Sequence, residues 1–146
     1  ATIWRWREAY QHDFAARLDW SHQPKFEGAN HHPLVDVNGD RSRSTIFLTA
    51  APGAPVTLDA SATSDPDGDE FSFHWYPYRE AGSFPLTIHY RNLKWQGDKT
   101  AVLKLNAPAT NAPATIHFIL EVRDQGQPSL TSYRRVILKV DPTRKD

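Results

Sequence analysis

The sequence predicts a mainly β fold: an antiparallel two-sheet β-sandwich of about seven strands, preceded by a helical extension. Three observations lead there. Short alternating apolar runs recur along the chain from "STIFLTAA" onward, separated by turn residues and by no helix-period segment. Only the first twenty residues read as a helix-period stripe, with Trp6, Tyr10, Phe14 and Leu18 at a spacing of four. The 11 prolines and 12% aromatic content suit a loop-rich strand module better than a helical bundle. Residues 1–30 read as the extension and a linker, the end of an upstream domain or the joint to it, and residues 31–146 as the sandwich.

In "TIWRWREAYQHDFAARLDW", Trp6, Tyr10, Phe14 and Leu18 fall on one helix face, with Arg5, Arg7, Glu8, Gln11 and Arg17 largely off it. A lone helix of this length is marginal in water, so this face is expected to dock on the following domain or on a larger partner upstream. "SHQPKFEGANHHP" follows as a linker with Pro24, Gly28 and Pro33 and no period. "STIFLTAA" and "PVTLDASAT" are strands divided by the turn "APGAP". "FSFHWYPY" sets Phe71, Phe73 and Trp75 against Ser72, His74 and Tyr76, and the first three read as core. "LTIHY" is a shorter strand candidate, and "AVLKLNAP" runs into the turn "NAPATNAP". "TIHFILEV" places Ile116, Phe118, Leu120 and Val122 on one face. "SYRRVILKVD" places Arg134, Val136, Leu138 and Val140 opposite Tyr133, Arg135, Ile137 and Lys139.

The 146 residues suffice for one domain with a core. Lys plus Arg and Asp plus Glu balance at 17 each, which argues against nucleic acid as a partner, since that needs a basic stripe. No run approaches a membrane span. The chain has no Cys, which excludes thiol catalysis and cysteine-based zinc sites. It begins with Ala rather than Met and reads as a fragment of a longer protein.

"VTLDASATSDPDGDEFSFHWYPY" and "IHFILEVRDQGQPSLTSYRRVILKV" resemble PKD-type, immunoglobulin-like modules. With "DFAARLDW", "ANHHP" and "YREAG", they resemble more closely the C-terminal domain of a bacterial cellulose-binding protein family whose N-terminal domain is similar to nucleoside hydrolases. One departure stands out: PKD modules usually continue "W.FGDG", and here the place reads "WYPYREAGSF". The resemblance implies an Ig-like (PKD-like) sandwich. It also implies a non-catalytic accessory module of a secreted or periplasmic protein, binding polysaccharide beside a hydrolase-like upstream domain. The helical extension would then be the joint between the two domains.

Asp65, Asp67 and Asp69 stand at i, i+2 and i+4 around Gly68, as in the first half of an EF-hand loop. Position 12 of such a loop would be Tyr76, within a strand, so the EF-hand reading fails. "DPDG" is also ordinary turn chemistry: Asp caps, Pro fixes φ and Gly accepts positive φ. Calcium-binding PKD-type modules gather an early Asn, a D-x-D pair and a late Asp at one end. The resemblance therefore implies Asn38, Asp65, Asp67 and Asp124 as a calcium set.

For carbohydrate, the candidate platform is Tyr76, Tyr78 and Trp95, drawn from a stretch that also holds Phe84 and Tyr90, because sugar C–H faces pack on rings with polar tips. Packing of these rings under a loop or against an upstream domain is the competing reading. The isolated histidines His74, His89 and His117 and the pair His31–His32 lack metal-site spacing. No catalytic residue is assigned. Glu80 and Glu121 could be nominated as a hydrolytic pair, but no spacing rule connects them. Two further functions stay open: a structural interdomain module without ligand, and a part of a glycoside or nucleoside hydrolase active site.

Overall fold

The alternating runs become the two inner faces of a β-sandwich. A computed structural model describes residues 3–83 and 93–144. The strand expected in "LTIHY", with Phe84, His89 and Tyr90, lies outside the described residues. One sheet has the order β1-β7-β6-β3, with β1 Ile46–Ala50, β3 Phe71–Pro77, β6 Ala114–Asp124 and β7 Thr131–Val140. The other has the order β2-β5-β4, with β2 Pro55–Asp59, β4 Trp95–Gln96 and β5 Val102–Asn106.

Period-two patterning decides which residues turn inward. Ile116, Phe118, Leu120 and Val122 of β6 are buried, as are Val136, Leu138 and Val140 of β7. Trp75 of β3 pairs with Leu120 and is 1% exposed. Its indole N–H donates to the Thr100 carbonyl at 3.1 Å, which satisfies the one polar atom the ring carries inside. Leu58, Leu103 and Leu105 close the core from the smaller sheet. Burial of each such side chain stabilises by roughly 1.5–3 kcal/mol.

Two features depart from a plain antiparallel pattern. β1 pairs with β7 in parallel, Ile46 beside Val136 and Ala50 beside Val140. The turn "APGAP" therefore carries the chain from one sheet to the other, with no hairpin formed. Gly53 takes φ +84° there and donates its N–H to the Ala107 carbonyl of the far sheet at 2.8 Å. The second feature is β4, a strand of only two residues within the polar stretch "NLKWQGDK".

The extension forms a 3-10 turn over Ile3–Trp6 and the helix α1 over Arg7–His22. Glu8 in the first turn suits the helix dipole. Gln23 is already extended before Pro24, as a residue preceding proline prefers. The helix docks through the row Glu8, His12, Ala16, Trp20. Glu8 accepts from Arg123 at 2.6 Å, the His12 Nδ1 meets the Ser129 carbonyl at 2.7 Å, and Trp20 donates to the Asn30 carbonyl at 2.7 Å. Ala16 is fully buried. The apolar row points the other way: Tyr10 is 50%, Phe14 64% and Leu18 49% exposed. Of the four residues expected to dock, Trp6 alone does so, edge-on to Tyr133 at 4.8 Å and beside Tyr76 at 6.4 Å.

Candidate functional site

The aspartate loop is built by its own first residue. The Asp65 Oδ1 accepts the N–H groups of Asp67 at 2.9 Å and Asp69 at 3.2 Å, and Gly68 turns the chain at φ +80°. Asp65, Asp67 and Asp69 each offer a carboxylate oxygen, all within 4.8 Å of one another. The Asp65 Oδ2 is buried without a hydrogen-bond partner. Burial, and then the charges of Asp65, Asp124 and Asp67, push the Asp69 carboxyl up from the usual carboxylate value. This is a crowded negative site with one orphaned oxygen. Its donor set, all hard oxygens, is of the kind a divalent cation such as calcium takes.

The four residues named as a calcium set do not assemble as a set. Asp67 is held by His31, whose backbone N–H lies 2.6 Å from Oδ2 and whose Nδ1 lies 3.1 Å from Oδ1. Asp124 is 2% exposed and fully engaged. Its Oδ1 accepts from Gly126 and Leu130, which closes the turn between β6 and β7, and its Oδ2 accepts from the Asn30 amide at 3.1 Å. Asn38 sits elsewhere in the bonding scheme: its Oδ1 accepts the Asp59 N–H at 2.8 Å and its Nδ2 faces the Thr57 carbonyl at 3.4 Å, both on β2. A committed amide clamping a strand is not a free ligand. The structure puts Asp69 in the cluster and Asn30 on Asp124. Sequence reasoning missed Asn30 because it lies in an unpatterned linker. The available signal was "DQG": an added Cβ on Gly126 would sit 2.1 Å from the Asn30 Nδ2, so only glycine lets Asn30 reach the turn.

The aromatic candidates also separate. Tyr76, half-buried under Trp6, lies near the end of β3 on the larger sheet, and Tyr78, with the Arg5 guanidinium 5.8 Å from its ring centre, follows just beyond it. Burial, then the charge of Glu121, raises the Tyr76 hydroxyl well above its ordinary value, so it stays a proton donor. Trp95 belongs to the smaller sheet. One side of its ring meets Phe118 edge-on at 6.0 Å, and the residue also lines a groove of about 730 Å³. Thr57, Lys94, Gln96, Lys104 and Asn106 bring polar groups to that groove, and Pro55 and Pro108 add apolar wall. A ring wall with amide, hydroxyl and ammonium donors around it is an arrangement that can take a polyhydroxylated ligand. Of the two nominated glutamates, Glu80 pairs with Arg5 at 3.2 Å, and Glu121 stands opposite His74 in the register of β3 and β6.

Comparison with known proteins agrees with this architecture. Residues 55–140, more than half of the chain, match the family model described as "Cellulose-binding protein Sde0182, C-terminal domain". The chain belongs to this family. A solved structure of a nucleoside hydrolase-related hypothetical protein from Saccharophagus degradans, described as associated with carbohydrate metabolism, is 37% identical with a TM-score of 0.87. The match covers 94% of this chain and 32% of that one, so this family member spans about a third of that relative's length. The PKD domain of the KIAA 1837 protein aligns over 77% of this chain and 92% of its own, at 20% identity and a TM-score of 0.45. No curated protein sequence matches the chain.

Proposed function

We propose that this domain is a non-catalytic accessory module that binds a cellulose-like polysaccharide beside a hydrolase-like domain, in a secreted or periplasmic protein. The observation that carries the reading is the Trp95 groove, where one indole lies among Thr57, Gln96, Lys104 and Asn106. The family description and the Saccharophagus relative support the substrate class. No helix among the described residues is long and apolar enough to cross a membrane. Retention on insoluble cellulose tests the proposal. The double variant Thr57→Ala, Gln96→Ala should lose retention with its melting temperature unchanged, and Trp95→Ala should lose both, because that ring also packs on Phe118. Full retention in the double variant overturns the groove as the site.

The outward row Tyr10, Phe14, Leu18 supports the second half of the proposal. Of the large hydrophobics exposed among the described residues, six of nine fall between Ile3 and Phe26. Surface of this kind marks a contact, and most of the Saccharophagus relative's chain lies outside the matched region. The hydrolase-like domain is the occupant we assign to it.

The aspartate loop adds a cation to the proposal: calcium held by Asp65, Asp67 and Asp69, with the orphaned Asp65 Oδ2 as the first ligand. Added calcium should raise the melting temperature, and Asp65→Ala or Asp67→Ala should abolish the rise. A melting curve indifferent to calcium leaves a plain turn.

A further inference from the structure

A second concavity lies between the helical extension and the sandwich, away from Trp95. It consists of two hollows that share Asp13, His32, Thr131 and Tyr133. The first, about 430 Å³, is walled by Trp6 and Tyr10. The second, about 590 Å³, carries Arg17, Arg41, Arg43 and Arg134. Asp13 is the one carboxylate among the described residues on either wall.

The four guanidinium groups are unequally satisfied. Arg17 is taken up by Asp13 at 2.7 Å. Arg41 gives its Nε to Asp36 at 2.9 Å and keeps a side chain that is 66% exposed. Arg134 is 2% exposed; it meets Asp40 at 2.7 Å, but its Nε has no acceptor. Arg43 is exposed and, among the described residues, faces no carboxylate, carbonyl or ring. Asp36 and Asp40 answer their partners from outside the lining, so the wall itself presents N–H donors. A planar guanidinium with unspent donors is matched to a carboxylate.

The neighbouring hollow supplies the rest of a sugar site. Tyr133 stands against Trp6 at a right angle and remains 39% exposed, so the two rings form an apolar corner. Burial, then the charge of Glu121, pushes the Tyr133 hydroxyl up to about 12, which keeps it a donor. Thr131, Ser42 and His32 add hydroxyl and imidazole groups along the junction.

We propose that this cleft binds a carboxylated sugar, a hexuronate unit of an acidic polysaccharide, with its ring on Tyr133 and its carboxylate on Arg43 beside Arg41. The site is separate from the Trp95 groove, so each stands or falls alone. Calorimetric titration of the 146-residue protein with trigalacturonate, cellotriose and sodium acetate tests it. Trigalacturonate should bind at least about tenfold more tightly than cellotriose, and Arg43→Ala should remove about that tenfold. Tyr133→Ala should weaken trigalacturonate binding comparably, while Tyr133→Phe, which keeps the ring and loses only the hydroxyl donor, should weaken it less. Arg43 is exposed, so its variant keeps the wild-type melting temperature and reads binding alone. The Thr57→Ala, Gln96→Ala variant should keep its trigalacturonate affinity even where cellulose retention is lost. Equal affinity for the neutral and acidic trimers overturns the proposal, and so does an unaffected Arg43→Ala. Acetate displacing the trimer at equal concentration overturns it too, by showing a site for small anions and not for a sugar.

Discussion

Strand β6 and helix α1 obey the same kind of pattern and come to opposite ends. In β6, every second residue from Ile116 to Val122 is apolar, and those residues are buried. In α1, every fourth residue from Tyr10 to Leu18 is apolar, and those residues are about half exposed or more. The row that docks, Glu8 to Trp20, is offset by two positions, which turns it about 200° around the axis. The comparison teaches that periodicity identifies residues sharing a face, while the cover for that face has to come from elsewhere in the fold. β6 has β5 and β2 opposite it. The sandwich offers α1 carbonyls, a buried aspartate turn and Arg123, so the helix meets it with polar groups.

The comparison sharpens most at Leu120. Leu120→Ala should cost about 3 kcal/mol, read as the denaturant midpoint, because it removes a fully buried side chain beside Trp75 and leaves a cavity. A loss below about 1 kcal/mol would mean that the sheets close over the gap.

The next effect is a pH dependence on the outer side of the same strand. His117 is 6% exposed and its Nδ1 accepts from Arg135, so burial and that guanidinium lower its affinity for a proton. The unfolded chain therefore binds the proton more readily, and stability is lost as pH falls through the ordinary histidine value of about 6.5. Melting temperature should be flat above about pH 7 and decline below about 6.5, and His117→Gln should remove that part of the decline. Parallel curves for the two proteins would place the titration elsewhere.

A smaller effect concerns Asp69, whose carboxyl is pushed up by its neighbours. Its negative charge is unfavourable in the fold, so its contribution to stability falls as pH rises through the ordinary carboxylate range. At neutral pH without divalent cations, Asp69→Asn should raise the melting temperature by about 2 °C. Added calcium should then favour the wild type. Phe14→Ala closes the series with the least change: within about 0.5 kcal/mol of wild type in the chain alone. A larger loss would show that the exposed row is already covered in solution.

The inner faces of β3, β6 and β7 were readable because alternation survives over seven or more residues and one face is mostly apolar. Arg134 fell on that face by its parity and is buried there, ion-paired at the strand's start. β4 was not readable, since two residues have no period. The parallel pairing of β1 depends on which sheet accepts the chain after "APGAP", a long-range choice that no local residue records. The aspartate loop was legible as a cluster but not in its membership. Asn38 and Asn30 are the same residue type in similar polar stretches, and only the approach allowed by Gly126 selects Asn30 for Asp124.

The Asn30 bond to Asp124 also has a mechanical side. Glu8, His12 and Asn30 tie the extension to Arg123, Ser129 and Asp124, all at the tip of one hairpin. A pull on the N-terminal helix therefore enters the sandwich through β6 and β7, the strand pair with the longest shared ladder among the described residues. Tension is shared along that ladder as shear and reaches the sheet bearing Trp95 only through the core.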